Sequence, residues 1–447
     1  MQPLPLLTHR GVELDPTTPS IRELCVTPAS RGPVKPAPFA VYDANDACTT
    51  VPHFWWRIDK KGAVNDVRSP PTFSNNIQFR GSLRDDEQHA AAAAIVASLH
   101  DHGGGVAALP TGFGKTVLGL YAASHFKTRT LIIVHKAFLA QQWHERASQF
   151  VPSASLTTLG LGKQDVTGDI VVATIQTLLA RPQALHPTPH AFGLVIVDEC
   201  HRIAAPSFCQ CMFKVGLCAK YVLGLSATPT RTDGLERVIH WLCGPLIEHR
   251  HLLPTTLPTT LPPTVAIVRP TFPVPRTIPL NRMGDVDHAS LLSALADDHD
   301  RTAFIVDQIC RCVPEPGKRD VLVLSHRRAH CHALADQLRT RGFDAQTYLG
   351  GDKTVPTTKV ICSTYALVSE GFDQPRLTVL VLATPASHVV QAVGRILRSH
   401  HGPARLIIDI LDSCSVCYAQ AAKRKALYVS RGWMGKQRQQ QYQFRDD

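Results

Sequence analysis

The sequence predicts an α/β protein with two parallel-sheet domains in tandem, preceded by an irregular N-terminal extension. Across residues 76–412, short apolar runs rich in β-branched residues alternate with helical stretches, and a proline-rich stretch divides the alternation into two halves. Almost continuously apolar runs are typical of strands buried on both faces, as in parallel sheets. Strands that alternate with helices predict right-handed βαβ units and doubly wound domains.

The first 75 residues lack this alternation. They are rich in Pro, Thr and Asp, and eight prolines lie among the first 40 residues. Because proline removes a backbone donor and restricts the chain, long regular elements are not expected there. We predict an irregular extension over residues 1–75, with one small packed unit around Phe54-Trp55-Trp56.

The first α/β domain is predicted for residues 76–248. Its apolar runs predict five strands that alternate with helices. These runs are Val106–Leu109, Leu131–Val134, Ile170–Ala173, Leu194–Val197 and Tyr221–Leu225.

A linker is predicted for residues 249–280. Residues 253–264 read LPTTLPTTLPPT, and four further prolines follow before residue 280. Such a stretch cannot supply donors to a strand ladder and favours polyproline II. Val265–Val268, inside this stretch, is a candidate first strand of the next domain.

The second α/β domain is predicted for residues 281–412, where the alternation returns. Its predicted strands are Val321–Leu324, Val360–Ser363, Leu377–Leu382 and Leu406–Ile410. Residues 413–447 are predicted as a basic tail with interleaved aromatic residues. Such a tail either adds a nonspecific grip on a polyanion or is simply solvated.

Composition sets the broad class of protein. With 447 residues, of which 44% are apolar and 19% charged, the chain can form roughly two to four globular domains. A formal charge of +11 favours a polyanionic partner without identifying one. The sequence shows no export signal and no apolar run of ~18 residues, so neither secretion nor a membrane span is expected. The 13 scattered cysteines then favour reduced thiols in an intracellular compartment.

A phosphate-binding motif lies between the first predicted strand and the helix that follows it. Gly112 and Gly114 let the backbone curl so that N–H groups face phosphate oxygens, and the helix N-terminus adds its positive end. Lys115 is predicted to reach the β- and γ-phosphates, and the Thr116 hydroxyl to bind Mg²⁺. A chance glycine-rich turn is the alternative, which the flanking strand and helix disfavour. The motif comprises Leu109, Pro110, Thr111, Gly112, Phe113, Gly114, Lys115 and Thr116, with Leu109 where the general pattern has glycine.

Two acidic residues, Asp198 and Glu199, directly follow another predicted strand. Carboxyl ends of parallel strands face the crevice where ligands bind. Asp198 is predicted to hold Mg²⁺ through water, and Glu199 to polarise the water that attacks the γ-phosphate. A solvated acidic turn is the alternative, but a phosphate loop about 80 residues upstream favours the catalytic interpretation.

The ordered motifs resemble those of superfamily 2 helicases in their DExH form. The matching segments are Lys115 (motif I), Val134-His135-Lys136 with Gln141-Gln142-Trp143 (Ia), Thr174-Ile175-Gln176-Thr177 (Ib), Asp198-Glu199-Cys200-His201 (II), Ser226-Ala227-Thr228 (III), Ser363 through Asp373 (V) and Gln391 through Arg398 (VI). The resemblance covers about residues 79–412. Within the superfamily, the sequence is most similar to the XPB-like branch, which includes helicases of large DNA viruses such as the poxvirus transcript-release helicase. It implies two RecA-like lobes, ATP and Mg²⁺ as ligands, and nucleic acid as a partner.

Motif VI has a direct physical interpretation. Arg395 and Arg398 stand three residues apart on one helix face, and Gln391 lies four residues before Arg395 on the same face. An arginine supplied from a facing lobe neutralises charge on the γ-phosphoryl oxygens, an effect worth roughly 10³–10⁵ in rate in comparable systems. We therefore predict catalytic roles for these three residues together with Lys115 and Glu199. A basic helix on a solvated surface is the alternative.

The resemblance also implies contacts with the nucleotide and with nucleic acid. Gly371 and Asp373 would contact the nucleotide, and Gln88 would contact adenine, although the aromatic residue expected before it is missing. The implied nucleic-acid contacts are Thr174, Gln176, His326, Arg327, Thr364 and Tyr365. Hydroxyls and loop N–H groups suit sequence-independent phosphate contacts, and a polar group satisfied within its own loop is the alternative for each.

Two functional hypotheses stay open. The first is an ATP-dependent DNA helicase or translocase that serves viral transcription or replication, in the nucleus or cytoplasm of a host cell. The second is a factor that remodels nucleic acid or a polymerase complex, with ATP as a switch and without strand separation. A P-loop kinase is disfavoured because it has no use for a second lobe with motif VI. Cys414 and Cys417 would need a second ligand pair to hold zinc, so we expect reduced packing thiols.

Overall fold

The computed structural model describes most of the chain as two compact units, Met1–Thr255 and Thr256–Asp447. The described residues are 4–16, 19–30, 36–69, 71–110, 112–159, 166–181, 192–215, 217–231, 233–247, 262–275, 277–281, 284–315, 317–352, 354–369, 372, 374, 376–387, 389, 393 and 404–434.

Very short strands make up the N-terminal extension. In chain order they are β1 (Leu6–Thr8), β2 (Gly11–Leu14), β3 (Cys25–Val26), β4 (Phe39–Ala40), β5 (Asp43–Ala44), β6 (Thr49–Val51) and β7 (Asn65–Asp66). Five of them form a mixed sheet in the order β5-β6-β2-β1-β7, and β3 pairs with β4. Irregular segments connect the strands, and the expected packed unit is present because Phe54 and Trp55 are buried.

The extension shares its hydrophobic core with the lobe that follows. Trp55 belongs to the same buried cluster as Val195 and Phe213 of that lobe. The indole N–H of Trp241 donates a hydrogen bond to the Asp59 carboxylate at 2.6 Å. The extension therefore covers one face of the first lobe.

The first lobe is a parallel sheet between two layers of helices. Its described strands are β8 (Gly104–Ala108), β9 (Thr130–Val134), β10 (Leu156–Leu159), β11 (Ile170–Thr174), β12 (Leu194–Asp198) and β13 (Tyr221–Ser226). Its described helices are α1 (Asp86–His102), α2 (Lys115–Phe126), α3 (Ala137–Phe150), α4 (Ile175–Ala180), α5 (Pro206–Val215) and α6 (Glu236–Cys243). The strand order is β10-β11-β9-β12-β13-β8, and every pairing is parallel.

Both faces of this sheet are buried. Val106 and Val195 lie in the core cluster on one side, whereas Ala107 and Ile196 lie in the cluster on the other side. Because successive strand residues point to opposite faces, a strand covered on both sides is continuously apolar. This explains why the apolar runs predicted these strands to within two residues at either end.

The second lobe has the same architecture. Its described strands are β14 (Thr264–Val268), β15 (Val321–Ser325), β16 (Ala345–Tyr348), β17 (Val360–Thr364), β18 (Val379–Leu382) and β19 (Leu406–Ile410). Its described helices are α7 (His288–Asp297), α8 (His299–Cys312), α9 (Arg328–Thr340), α10 (Tyr365–Ser369) and α11 (Ser415–Ser430). The order is β14-β19-β18-β15-β17-β16, all parallel. The predicted α/β fold with two parallel-sheet lobes is confirmed.

Two segments extend the second lobe beyond its predicted limits. Strand β14 lies inside the stretch predicted as a linker, and it pairs along its whole length with β19. Helix α11 lies inside the predicted tail, and its Arg424 and Tyr428 side chains are buried against Asp409 of β19. The remaining tail residues, 435–447, lie outside the described part of the chain.

The cysteine pair at the start of α11 corrects an expectation. Cys414 and Cys417 form a disulfide, with their Cα atoms 5.1 Å apart, rather than the packing thiols that we expected. The other 11 cysteines, all among the described residues, form no disulfide. Within the described ranges, no cluster of three or more His, Cys, Asp or Glu side chains is placed to hold a metal ion. No helix among these residues has the length and apolar character needed to cross a membrane.

Candidate active site

The predicted phosphate loop connects the end of β8 to the start of α2. The Leu109 N–H donates to the Ser226 carbonyl at 2.8 Å, which fixes the start of the loop to the end of β13. The Phe113 N–H donates to the Pro110 carbonyl at 3.1 Å, which closes a turn. Thr111, at the centre of the loop, lies outside the described residues.

Two glycines and one glutamine shape this loop. Gly112 and Gly114 have φ angles of 84° and 99°, a region that side chains with a Cβ rarely adopt. A Cβ on Gly114 would lie 2.4 Å from Gln88 Nε2. That amide donates to the Phe113 carbonyl at 2.6 Å, and its Oε1 accepts the Arg84 N–H at 2.8 Å. Buried Gln88 therefore braces the phosphate loop, while its contact with adenine stays a prediction.

Lys115 and Thr116 form the first turn of α2, and both are half-buried. The Lys115 ammonium donates to the Leu109 carbonyl at 3.4 Å, so the side chain curls back along the loop. The Leu109 side chain is fully buried in the core. A large residue is tolerated there because only its backbone takes part in the loop, which explains the departure from glycine.

Asp198, at the end of β12, is held by two donors. Trp143 Nε1 donates to Asp198 Oδ2 at 2.9 Å, and the Glu199 N–H donates to Oδ1 at 3.0 Å. Burial, together with the Glu199 charge, raises the pKa of Asp198 to about 6, although the Trp143 hydrogen bond and the Lys115 charge lower it. A divalent cation would favour the ionised form of such a carboxyl group.

Glu199 adopts a left-handed backbone conformation with φ of 50°. A non-glycine residue in this region stores roughly 1–3 kcal/mol of strain, and such strain clusters at functional sites. Its Oε2 lies 3.4 Å from His201 Nδ1. Burial and the neighbouring Arg202 charge lower the pKa of His201 to about 4, so the imidazole is neutral at pH 7 and forms no ion pair with Glu199.

A hydrogen-bond chain connects this acidic strand end to the end of β13. His201 Nδ1 lies 3.0 Å from Ser226 Oγ, which also accepts the Thr228 N–H at 3.2 Å. The Arg231 guanidinium donates to the His201 carbonyl and forms an ion pair with Asp233. The segments that resemble motifs II and III are therefore one bonded unit.

The loop N–H groups and the side-chain oxygens of this site fit a nucleoside triphosphate and a magnesium ion. The glycine-shaped loop before a helix N-terminus offers N–H groups to anionic oxygens. Thr116 and Asp198 provide the hard oxygen ligands that Mg²⁺ prefers, and Mg²⁺ commonly takes its other ligands from water and substrate phosphates. The half-buried Asp198 carboxyl, with its raised pKa, is the observation that favours a cation at this position.

In the second lobe, three of the residues predicted to contact nucleic acid have partners within the lobe. His326 N–H donates to Thr384 Oγ1 at 3.0 Å, and His326 Nδ1 lies 2.9 Å from the same oxygen. The Tyr365 hydroxyl donates to the Thr384 carbonyl at 2.8 Å. The Arg327 Nε donates to Ser293 Oγ at 3.0 Å, so this side chain is turned toward α7.

The remaining predicted contacts lie at helix starts. Thr174 Oγ1 accepts the Thr177 N–H at 3.1 Å, and Thr364 Oγ1 accepts the Leu367 N–H at 3.4 Å. Gln176 is exposed on the first turn of α4. Local partners thus satisfy part of the bonding capacity of these hydroxyls, and their contact with nucleic acid stays a prediction.

Several predicted site residues cannot be placed. Gln391, Arg395 and Arg398, predicted for catalysis, and Gly371 and Asp373, predicted to contact the nucleotide, lie outside the described residues. Their roles therefore stay predictions.

The structure adds residues to which sequence reasoning assigned no role at the site. Trp143 was identified only as part of a motif, yet its indole N–H binds Asp198 from 55 positions away. In the sequence, the trace of this contact is Gly119 in α2. A Cβ at this position would lie 2.8 Å from the Trp143 ring, so the glycine leaves space for the tryptophan. Ser226 and Arg231 are likewise recognisable as motif members, but not as partners of His201.

Comparisons with known proteins agree with this geometry. Residues 81–231 match the family described as the res subunit of type III restriction enzymes. A mimivirus protein (Acanthamoeba polyphaga mimivirus), provisionally named ATP-dependent RNA helicase L396, is 28% identical over 420 residues, which cover 89% of this chain and 77% of that protein. A Frog virus 3 protein, provisionally named helicase 055L, is 28% identical over 330 residues, or 72% of each chain. An African swine fever virus protein, provisionally named ATP-dependent RNA helicase QP509L, is 26% identical over 359 residues, covering 73% of this chain and 68% of its own.

Solved structures support the fold. The Hef helicase domain of Pyrococcus furiosus matches with a TM-score of 0.51 and 14% identity, over 75% of this chain and 98% of its own. The DNA-bound type ISP restriction-modification enzyme LlaBIII matches with a TM-score of 0.53 and 14% identity, over 78% of this chain and 30% of its own. Motifs and relatives together support a superfamily 2 helicase, and with it a nucleic-acid-dependent ATPase. More narrowly, the chain is similar to helicases of large DNA viruses.

Proposed function

We propose that this helicase hydrolyses ATP to ADP and phosphate in order to move along or unwind DNA. The observation that carries the proposal is the carboxyl edge of the first sheet, where the phosphate loop follows β8 and the acidic pair ends β12. The Leu109 N–H donates to the Ser226 carbonyl, and Ser226 Oγ lies 3.0 Å from His201 Nδ1, so hydrogen bonds connect the loop to the segment that carries the acidic pair.

Each side chain of this site has a proposed role in hydrolysis. Lys115 and the loop N–H groups hold the β- and γ-phosphates. Glu199 accepts a proton from water as the water oxygen bonds to the γ-phosphorus, and the bond from that phosphorus to the bridging oxygen breaks to leave ADP. Mg²⁺ held by Thr116 and Asp198 would supply positive charge to the phosphates. Arg395 and Arg398 would neutralise the charge that develops in the transition state.

The exchange of Glu199 for glutamine tests this assignment. Glu199→Gln should bind ATP like the parent and lose turnover by at least about 10²-fold, because a general base contributes 10²–10⁴-fold. Lys115→Ala should instead weaken ATP binding itself. Equilibrium binding of a fluorescent ATP analogue and steady-state phosphate release separate the two effects. Glu145→Gln, an exposed exchange on α3, is the matched control. Parent-level turnover in Glu199→Gln would refute the site.

DNA is the proposed track, within viral transcription or replication. The net charge of +11 favours a polyanion, and the LlaBIII enzyme that shares the fold is bound to DNA. The names of the mimivirus and African swine fever virus relatives specify RNA instead. Measuring ATPase activity with single- and double-stranded DNA and RNA therefore decides between the two nucleic acids. Stimulation by RNA alone would contradict the DNA proposal.

Movement and strand separation are distinguishable in a second assay. A strand-displacement assay reports unwinding, whereas displacement of the third strand from a DNA triplex reports translocation along an intact duplex. We expect activity in at least one of them that depends on ATP and on Glu199. Activity in neither, despite DNA-stimulated hydrolysis, would favour a remodelling factor that uses ATP as a switch.

A further inference from the structure

The loop that follows β18 is bound at three of its residues, Ala383, Thr384 and Ala386, by groups from elsewhere in the lobe. The Arg301 guanidinium, which is fully buried, donates to the Ala383 carbonyl at 2.7 Å. The Tyr365 hydroxyl donates to the Thr384 carbonyl, and Arg424 donates to the Ala386 carbonyl. We call residues 383–386 the clamped loop.

Both arginines are themselves fixed by buried carboxylates. Arg301 forms a bidentate pair with Asp412, at 2.7 and 2.9 Å, and neither side chain is exposed. Arg424 binds both oxygens of Asp409, whose Oδ2 also accepts the Tyr428 hydroxyl at 2.9 Å. Two paired arginines therefore hold the two ends of the clamped loop from the buried side of the lobe.

A fourth contact of the loop is made by the Thr384 hydroxyl, which is 1% exposed. Its oxygen accepts the His326 N–H at 3.0 Å and lies 2.9 Å from His326 Nδ1. Because this buried oxygen already accepts the His326 N–H, the arrangement that also satisfies its hydroxyl hydrogen has Thr384 donate a hydrogen bond to Nδ1. Burial, with the nearby His288 and Arg327 charges, lowers the pKa of His326 to about 4, so the ring is neutral at pH 7. Thr384 thus selects the tautomer that carries its hydrogen on Nε2.

The two residues that contact Thr384 are the aromatic members of the predicted nucleic-acid surface. The rings of His326 and Tyr365 lie 4.5 Å apart between centroids. They follow β15 and β17, which are neighbours in the sheet, and β18 lies on the other side of β15. Any shift of either ring on contact with a phosphate backbone would therefore reach Thr384 through a direct hydrogen bond.

We propose that Thr384 is a positioning residue that couples nucleic-acid contact at His326 and Tyr365 to hydrolysis of ATP. The chain continues from the clamped loop to Gln391, Arg395 and Arg398 within 12 residues of Ala386, so the loop is the covalent connection between the predicted contact surface and the predicted catalytic arginines. The inference rests on the proposed function. It adds that the His326 Nε2–H is the donor presented to the phosphate backbone, because Thr384 sets its tautomer.

The test compares Thr384→Val with Thr384→Ser in the full chain, by ATPase activity titrated with single-stranded oligo(dT) and oligo(U). Thr384→Val keeps the shape but removes the hydroxyl, so the concentration of oligonucleotide for half-maximal stimulation should rise by about five-fold or more. Thr384→Ser should stay within about two-fold of the parent, because it keeps the hydroxyl. Thr358→Val is the matched control, since Thr358 is a buried threonine at the amino end of β17 whose hydroxyl donates to Val360.

A double-mutant cycle shows whether Thr384 acts through His326. On a His326→Phe background, Thr384→Val should add little further loss, because the acceptor of its hydrogen bond is already gone. Long-range ¹⁵N NMR of the His326 ring should show Nε2–H in the parent and a mixture of tautomers in Thr384→Val.

Each outcome has one interpretation. Half-saturation within two-fold of the parent in Thr384→Val, or equal losses in Thr384→Val and Thr384→Ser, would overturn the coupling role while the proposed function stands. Fully additive losses in the cycle would also overturn it. A parent chain that no oligonucleotide stimulates would instead end the proposed function, and the coupling role with it.

Discussion

One side-chain pair recurs at three strand ends within the described residues. At each of them a hydroxyl oxygen accepts a backbone N–H and lies within 3.0 Å of the Nδ1 atom of an imidazole, so that its own hydrogen can be donated to that ring nitrogen. The pairs are Ser226 with His201, Ser325 with His330, and Thr384 with His326. Burial lowers the pKa of all three imidazoles to between about 3 and about 4, so each is neutral at pH 7. A neutral ring with a fixed tautomer carries a defined donor on Nε2, which suits recognition of oxygen atoms at His326, whereas the buried Nε2 of His330 has no hydrogen-bond partner among the described residues.

The tryptophan beside Asp198 gives the first prediction. Trp143→Phe removes the donor that lowers the pKa of Asp198, so this pKa should rise by about 0.5–1 unit. Because the ionised carboxylate is the form that would bind Mg²⁺, activity should fall at a correspondingly higher pH as the solution is acidified. A pH profile of ATPase activity at limiting Mg²⁺ measures the shift.

The control for this exchange is a second tryptophan. Trp241 also donates to a carboxylate, that of Asp59 at 2.6 Å, but it lies under the N-terminal extension. Trp241→Phe should leave the acid limb of the profile where it is. Equal displacement of the limb by both exchanges would show that Trp143 has no special relation to Asp198.

The ionised Asp198 carboxylate should also lower the free energy of unfolding of the first lobe at neutral pH. Its pKa of about 6 in the folded protein exceeds the value of 3.8 expected for an unfolded chain, so ionisation favours the unfolded state. Asp198→Asn should therefore stabilise the first lobe by about 1–3 kcal/mol at pH 7.5, and the gain should fade as the pH falls from 6 to 4. Urea denaturation at several pH values measures this.

The control is Asp169, a carboxylate whose pKa is lowered rather than raised in the folded protein. Burial would raise the pKa of Asp169, but hydrogen bonds from Ser155 and Ser74 outweigh it and lower the pKa. Asp169→Asn should consequently destabilise the lobe at neutral pH, because a group with a lowered pKa stabilises the folded state above that pKa. Stabilisation by both exchanges would contradict the assigned cause.

At the scale of elements, α11 shows how a helix can belong to a core without looking apolar. Its buried members include Arg424 and Tyr428, which satisfy the buried Asp409 carboxylate. A buried ion pair is costly to break from one side, because the remaining charge is left unpaired. The helix is therefore held to the sheet by a buried ion pair in addition to its apolar contacts.

The α11 contact gives an element-scale prediction. Arg424→Met should destabilise the second lobe by about 3–5 kcal/mol, and Asp409→Asn combined with it should recover part of that loss. Calorimetry of the second lobe's unfolding transition measures both. Arg339→Met is the control, since Arg339 pairs with Asp336 on the exposed side of α9 and its loss should cost about 0–1 kcal/mol. A loss of similar size in the control would contradict a special role for the buried pair.

How much of the fold was predictable differs from element to element. The central strands were predicted because burial on both faces leaves them continuously apolar, as in β9 and β12. Strands β10 and β16 were missed, since they lie at the sheet edges and contain half-exposed polar residues. Helix α11 was taken for a tail because a basic residue, Arg424, is among its few buried members. In each case the segment's own residues did not reveal the element, because its identity depended on the strand or helix that it packs against.

The site was predictable where the chemistry is local in sequence. The phosphate loop and the acidic pair are short motifs, and the structure places them at adjacent regions of one sheet edge. The bracing of the loop by Gln88 and the Trp143–Asp198 bond join residues 25 and 55 positions apart. No periodicity or local pattern encodes such pairings, so they required the fold.

At the scale of the whole molecule, the second unit is predicted to contribute to hydrolysis of ATP held by the phosphate loop. Arg398→Ala should abolish nucleic-acid-stimulated hydrolysis, with a loss of about 10³-fold or more, while ATP binding by the first lobe persists. Stimulated turnover and nucleotide binding, measured on the same preparation, test this. Arg311→Ala on α8, at an exposed arginine, is the control. Normal stimulation in Arg398→Ala would leave the arginine without a catalytic role.

The shared core of the N-terminal extension and the first lobe bears on how such proteins can diversify. A Cβ on Gly104 would meet the Phe54 ring at 2.3 Å, so a strand of the lobe and an aromatic residue of the extension must change together. An extension without a matching contact at this position should consequently fit the first lobe poorly. A chain trimmed to the matched residues 81–231 would lose the extension that covers the first lobe. The apolar surface exposed in this way should promote aggregation.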